Sequence, residues 1–365
     1  MSRNTIPCVR AKGDPFSIGF ALGQASASGF RERGLSTERF RALDARWRGS
    51  DHLKTLESAA RIAYPRYVRE IEGIAAGLEQ NFETVLLWNC RADLRLPQDV
   101  SPVTKAVAAI GCTSLLIPAE GDGPAVIAHN EDGAADFLGA CLWVEVEPDE
   151  GPAWRSFMTP GMLPGETFGL NEAGLVQTIN NITPNDLQPG VSRQIICRAI
   201  LDASGLDEAV KILNRKDRAS GFHHNLGEAK TRRLASVEAP ASGCVVREVA
   251  SPQAHANHLL FEEFDDLQQT ISSSSRDRQE AADRMIAEGA LSRGAEALLF
   301  DETTPIYKNG RDNNSRTLAT SVFALFPDRV EWRVHAAPDE RDTLRGMIRV
   351  VQCGGEVAGR ICVSF

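Results

Sequence analysis

The spacing of apolar positions changes near residue 112 of this 365-residue chain. Ahead of that point, apolar side chains recur every three or four residues. In residues 64–89, Val68, Ile71, Ile74, Ala75 and Leu78 fall on one face of an amphipathic helix. Residues 16–30 read similarly. Asp14 is placed to cap that helix, and Pro15 occupies its first position, where a missing N–H costs nothing. Gly19 and Gly23 stand four apart, a spacing that lets a second backbone approach closely.

Beyond residue 112, apolar runs of strand length occupy 113–117, 125–129, 140–146 and 175–179. Turn residues such as Gly121-Asp122-Gly123-Pro124 and Asn171-Glu172-Ala173-Gly174 separate them. Residues 141–147 partly alternate, as in a strand with one wetter face. Helical spacing returns at 206–213 and 278–288, then strands near 317–326 and 331–335, while the serines at 272–275 read as a loop or the start of a helix. Strands and helices arriving in blocks predict α+β layers, against a doubly wound parallel sheet.

Composition narrows the class. With 42% apolar and 24% charged residues the chain is ordinary globular material, enough for one large core or two modest ones. The opening Met1-Ser2-Arg3-Asn4-Thr5-Ile6-Pro7 lacks the apolar stretch of a secretory signal, and no run approaches the roughly 18 residues of a membrane helix, so a cytoplasmic location is expected. Cys8, Cys90, Cys112, Cys141, Cys197, Cys244, Cys353 and Cys362 are scattered, which argues for reduced core residues and against a disulfide framework or a metal knuckle. A net charge of -9 without a basic cluster disfavours nucleic acid and anionic membrane as partners.

Chemistry concentrates at Gly111-Cys112-Thr113-Ser114, ahead of an apolar strand and followed by His129-Asn130-Glu131-Asp132. A thiol opening a strand can attack the carbonyl before it in an N-to-S shift, because glycine tolerates the strained backbone geometry required. Hydrolysis of the thioester leaves Cys112 as a new N-terminus. Its α-amine, with an ordinary pKa of about 7.7 to 8.0, can then act as base for its own thiol. Taken alone, a glycine and cysteine at a strand start are usually a turn and a buried core residue.

Further motifs change that balance. They are Gly13-Asp14-Pro15-Phe16-Ser17-Ile18-Gly19, Glu70-Ile71-Glu72-Gly73-Ile74-Ala75-Ala76-Gly77, Gly169-Leu170-Asn171-Glu172-Ala173-Gly174-Leu175, His255-Ala256-Asn257-His258 and Asn314-Ser315-Arg316-Thr317. With these, the chain resembles, almost end to end, the C45-type N-terminal nucleophile hydrolases: isopenicillin N acyltransferase and the carcinine and β-alanyl-dopamine hydrolases. The resemblance implies a four-layer αββα sandwich built as one integrated unit. Residues 1–111 would form a helical α-chain that stays bound after cleavage, and residues 112–365 the catalytic β-chain. An αβ heterodimer follows, with a higher homo-oligomer left open.

The resemblance also implies roles. Asn257 matches the family's oxyanion asparagine, and Asn181 matches a second one in the related bile salt hydrolases. Strand alternation allows only one of Asn180 and Asn181 to face the pocket. Asp132 matches the aspartate near the new amine, where a carboxylate orients the ammonium. Arg316 corresponds to an arginine close to the nucleophile, where a fixed cation lowers a thiol pKa. His129 and Ser315 are weaker candidates, for binding substrate.

Competing constellations carry less. His255 and His258 with His223-His224 provide imidazoles, but a catalytic zinc needs a third ligand and an open position, and no HExxH or cysteine pair is present. A papain-like pairing of Cys112 with a separate histidine lacks its local signature. Trp143, Trp154, Phe157 and Phe168 would line an acyl pocket or, as large aromatics more often do, fill the core. The loop 159–165 reads as a pocket lid or an ordinary connection. The sequence thus predicts a cofactor-free, self-cleaving cysteine amidase acting on a small N-acyl amine through a Cys112 thioester. An N-acyltransferase and an unprocessed binding protein are the alternatives.

Overall fold

The helices before Cys112 are short and densely packed. In the computed structural model, which describes residues 5–94, 111–310, 315–338 and 343–350, this part forms β1 (Cys8–Gly13), α1 (Pro15–Phe30), α2 (Glu38–Trp47), α3 (Asp51–Ala63), α4 (Pro65–Gly77) and α5 (Phe82–Cys90). Asn314, Cys353 and Cys362 lie outside the described residues. Asp14 caps α1 by accepting from the amides of Phe16 and Ser17 at 2.8 and 3.2 Å. The periodic segment 64–89 divides into two helices: Glu79 adopts a left-handed φ of 57° and Asn81 caps α5 by accepting from Thr84 N at 2.8 Å.

α1 and α4 pack through paired glycines. A Cβ on Gly19 or Gly23 would overlap the carbonyls of Glu70 or Ile74, and one on Gly73 or Gly77 those of Phe16 or Phe20. The four-residue spacing seen in α1 therefore has a counterpart in α4, and the two backbones are in direct contact.

After Gly111 come β2 (Cys112–Ile117), β3 (Ala125–Ala134), β4 (Leu142–Pro148), β5 (Trp154–Met158), β6 (Phe168–Asn171), β7 (Leu175–Asn181), β8 (Phe222–Glu228), β9 (Arg233–Ala239), β10 (Val245–Glu248), β11 (Gln253–His255), β12 (Ser315–Phe326), β13 (Arg329–His335) and β14 (Thr343–Arg349). Among them lie α6 (Arg193–Ile200), α7 (Leu206–Leu213), α8 (Ser273–Ala287) and α9 (Ala295–Leu299). The serine run opens α8, with Ser272 as its N-cap. One sheet has the order β1-β4-β5-β6-β7-β8-β9-β10 and the other β11-β2-β3-β12-β13-β14. Their pairings are antiparallel except β1 with β4, the α+β arrangement that the blocks of elements predict.

Trp143, Phe157, Phe168, Phe323 and Trp332 pack together in one buried cluster drawn from both sheets. Trp154 packs with Ile18 and Leu22 of α1. Leu226 and Val237 of the first sheet join α3 to α7 in a second cluster. Leu115, Ala128 and Val322 of the second sheet meet Ala281, Ala282 and Leu298 of α8 and α9.

One buried ion pair ties the early helices to the later chain. Arg198 on α6 donates to Glu70 of α4 at 3.0 and 3.1 Å and to Asp202 at 2.9 Å, while Tyr67 donates to Asp202 at 2.9 Å. No helix among the described residues is long and apolar enough to cross a membrane.

Candidate active site

Strand register sets the chemistry around Cys112. In the β2–β3 ladder Cys112 pairs with Glu131, Thr113 with Asn130 and Ser114 with His129. Directly paired residues share a face and successive residues alternate. Cys112, Ser114, His129 and Glu131 thus lie on one face, and Thr113, Asn130 and Asp132 on the other.

The bond before Cys112 is gripped from several sides. Cys112 N donates to Asn257 Oδ1 at 2.7 Å, and the Gly111 carbonyl accepts from Asp132 N at 2.9 Å. Asn257 Nδ2 lies 3.6 Å from the Cys112 sulfur, so one side chain meets both halves of the cysteine. Arg278 on α8 donates to the Cys112 carbonyl, to Thr113 Oγ1 at 3.0 Å and to Asn257 Oδ1 at 2.6 Å. A Cβ at position 111 would run into the ends of the Arg278 and Asn257 side chains, so any larger residue there would displace the groups that hold Cys112.

Behind this grip, Asp132 Oδ1 accepts from Thr317 Oγ1 at 2.7 Å, and its other oxygen has no hydrogen-bond partner among the described residues. Burial raises the Asp132 pKa, opposed by the charges of Lys308 and Arg278 and the bond from Thr317. Lys308, whose Nζ donates to Ser274 Oγ at 3.0 Å, is pushed down by burial with Asp132 opposing.

On the cavity face, burial raises the thiol pKa of Cys112, and Glu131 adds to the shift. The backbone amide of Asn181, the Asn257 side chain and Arg278 pull the other way. Asn180 and Asn181 separate as alternation requires. Asn181 lines the cavity and its Oδ1 accepts from Arg193 at 2.7 Å, whereas Asn180 is buried between the sheets.

Asn180 anchors a directional chain. Its Nδ2 donates to the His255 carbonyl at 3.0 Å, so its Oδ1 is the acceptor for Asn225 Nδ2 and Ser114 Oγ, each at 2.8 Å. Ser114 has then spent its hydrogen, and His129 Nδ1 at 2.8 Å must donate to it. His129 Nε2 lies 3.2 Å from Glu131 Oε2. One proton therefore sits between the imidazole and the carboxyl. Burial, with Arg278, lowers the His129 pKa to about 3. Burial raises that of Glu131 well above the usual range, with Glu166 and Asp132 adding to it.

Cys112 opens on a cavity of about 430 Å³. Glu131, Glu166, Asn181, Ile179 and Phe222 are part of its wall, and so are Phe40, Leu43 and Trp47 of α2 with Trp88 and Arg91 at α5. Nothing in the spacing of α2 marks it as a cavity wall. Trp143, Trp154, Phe157 and Phe168, candidates for an acyl pocket, are core residues instead. The 159–165 loop is pinned: Trp88 Nε1 donates to Pro160 O and Asn89 Nδ2 to Gly161 O, each at 3.0 Å, and Leu163 N donates to Asn89 Oδ1 at 2.7 Å. It is a fixed wall with Met162 and Leu163 in the core, where the sequence left a lid open.

Two expectations need correction. Arg316 is exposed, with its side chain against the Gly310 backbone, and the guanidinium that reaches Cys112 belongs to Arg278. Ser315 is buried at the start of β12 and is not part of the cavity wall. The imidazoles of His223, His255 and His258 are committed elsewhere: His223 stacks on His255 at 3.3 Å, His255 contacts Glu238 at 3.0 Å and His258 contacts Ser275 at 2.8 Å. His255 lies on strand β11, so it shares no helix with His258. Cys112, His129 and Glu131 offer one ligand atom each within 4.8 Å of one another, three donors that suit a soft divalent cation given a fourth ligand.

Comparison with known proteins bears on the family of this chain. The family described as acyl-coenzyme A:6-aminopenicillanic acid acyl-transferase matches residues 119–339, which include Glu131, Asp132, Asn181, Asn257 and Arg278. The β-alanyl-dopamine/carcinine hydrolase of Drosophila melanogaster is 25% identical over 362 residues, covering 88% of this chain and 91% of that protein.

Proposed function

Because this chain belongs to the acyl-coenzyme A:6-aminopenicillanic acid acyl-transferase family, we propose that it is a self-cleaving cysteine amidase that hydrolyses a small N-acyl amine. It is an enzyme of the amide hydrolase and acyltransferase group. The two sheets with helices outside them support reading the fold as a four-layer αββα sandwich. One observation carries the proposal: Cys112 opens on the cavity while its amide and the preceding carbonyl are held by Asn257 and Asp132.

In the intact chain the Cys112 sulfur attacks the Gly111 carbonyl carbon. The C–N bond breaks, the thiol proton passes to the departing amine, and water hydrolyses the thioester to free the Gly111 carboxyl. Residues 1–111 and 112–365 then stay together as an αβ pair. Arg198, bound to Glu70 across that division, and α2 in the cavity wall support this.

In the mature enzyme the Cys112 amine takes the thiol proton and the thiolate attacks the substrate amide. Asn257 Nδ2, 3.6 Å from the sulfur, and Asn181 in the cavity wall support reading them as the donors that hold the oxyanion, a contribution of about 2.7 to 4 kcal/mol for one such donor. The ammonium protonates the leaving amine, and water releases the acid. Asp132 steadies the ammonium. The relative's name makes β-alanyl amides the first substrates to test.

Denaturing intact-mass measurement tests the reading. Pieces near roughly 12 and 28 kDa, scaled from chain length, are expected for the wild type, and a single inactive chain for Cys112→Ala. An uncleaved but active wild type, or turnover by Cys112→Ala, would sink the mechanism. Product formation only with an added amine acceptor would move the reading to acyl transfer.

A further inference from the structure

We propose that cleavage completes a metal site on the nucleophile: the sulfur and freed α-amine of Cys112, Nε2 of His129 and the carboxylate of Glu131 bind one Zn²⁺, which holds the mature enzyme inactive until the ion is removed. This rests on the reading of Cys112 as a self-cleaving nucleophile and adds an inhibitor of that same site.

Three observations carry it. First, the three side chains converge on one face of two paired strands. Cys112 and Glu131 are direct partners in the β2–β3 ladder, and His129 stands two residues from Glu131 on the same face. One ligand atom from each lies within 4.8 Å of the others. Ligand atoms of a tetrahedral zinc stand roughly 3.3 to 3.8 Å apart, and His129 Nε2 is already 3.2 Å from Glu131 Oε2.

Second, the imidazole is held in the tautomer that a cation needs. Asn180 Nδ2 donates to the His255 carbonyl, so Asn180 Oδ1 accepts from Ser114 Oγ, which in turn accepts from His129 Nδ1. Nε2 therefore turns its lone pair toward Glu131, where a proton sits in the metal-free site and a cation can replace it. An anchored ring N–H of this kind is the outer support of zinc-bound histidines. Asn257 Nδ2, 3.6 Å from the sulfur, supports a thiolate in the same way.

Third, cleavage supplies the fourth ligand. In the intact chain Cys112 N is an amide donating to Asn257 Oδ1 at 2.7 Å, and resonance withholds its lone pair. Once freed, the amine and sulfur of this one residue close a five-membered ring on a metal. A bound amine keeps two hydrogens, enough to retain the bond to Asn257.

Arg39, Arg46, Arg91 and Arg193 line the same cavity and do not oppose this loading. The ion takes the place of three protons, one each from the ammonium, the thiol and the His129–Glu131 pair. Two positive charges enter as three leave, so the positive wall favours the loaded site over the empty one.

Co²⁺ titration of the purified cleaved protein tests the site by absorption. One ion per chain is expected, with the near-ultraviolet band of a thiolate on Co²⁺, and Zn²⁺ should displace it. Cys112→Ala should remove that band, and Glu131→Gln and Ser114→Ala should each weaken Zn²⁺ binding by about tenfold to a hundredfold. Absence of the band, or unchanged Zn²⁺ affinity in the variants, overturns the proposal. In native mass spectra recorded as cleavage proceeds, cleaved chains should load Zn²⁺ ahead of intact ones; equal loading overturns the role of the amine.

If the variants do not fold, the wild type decides. Zn²⁺ should shield Cys112 from iodoacetamide while the exposed Cys8 still reacts, with EDTA lifting the protection; equal labelling of Cys112 with and without Zn²⁺ overturns the site. The two readings fail separately. Amide hydrolysis that Zn²⁺ does not slow would remove the metal site and leave the amidase. A Co²⁺–thiolate band on cleaved protein that hydrolyses no amide would do the reverse.

Discussion

Glu131 and Asp132 are neighbours in the chain and belong to different environments. Both are carboxyls on β3, Asp132 buried and Glu131 half-buried, yet Glu131 meets the imidazole of His129 in the cavity wall while Asp132 meets Thr317, Lys308 and Arg278 behind Cys112. The two-residue period of a strand is enough to divide one tetrapeptide between two tasks. The face toward α8 carries the contacts of Asp132 with Thr317 and of Thr113 with Arg278. The cavity face carries Cys112 and Glu131.

The most damaging way to break this division is to remove Arg278. Arg278→Met strips donors from the Cys112 carbonyl, Thr113 and Asn257. Breaking a buried charged network of this kind costs about 3–5 kcal/mol, to be read from urea unfolding, and it should abolish cleavage in the mass spectrum. Next comes the paired comparison. Asp132→Asn is expected to slow turnover by about a hundredfold or more, whereas Glu131→Gln weakens Zn²⁺ binding more than it shifts cleavage. Matching effects of the two on both readouts would erase the distinction between the faces.

The smallest effect is a pH slope. Glu166 holds its proton to about 7 in the folded chain against an ordinary 4.5. Between those values the unfolded chain gives up its proton first, so stability falls as pH rises through the window. Glu166→Gln should flatten that part of the dependence of Tm on pH. An unaltered slope would mean that Glu166 is ionised in the free cavity.

Local rules made much of this legible. The cap at Asp14, the glycine spacing of α1 and the division of Asn180 from Asn181 follow from periodicity and short-range geometry. Arg278 was not legible. It is one of 40 lysines and arginines, in a helix whose apolar pattern says nothing about which side chain reaches 166 residues back to Cys112. Arg316 misled because its motif lies on β12 next to the Asp132 strand, while its side chain is exposed. The cavity wall from α2 was hidden for a related reason: Phe40, Leu43 and Trp47 have the spacing of any core-facing helix.

That wall has an evolutionary consequence. The nucleophile, its grip and its carboxylates all lie from Gly111 onward, whereas Phe40, Leu43, Trp47 and Trp88 come from the part ahead of it. Substitutions there reshape the space offered to a substrate without touching a reacting group. A lineage can reshape its pocket by drift in the segment ahead of Gly111, while the strand that carries Cys112 stays constant.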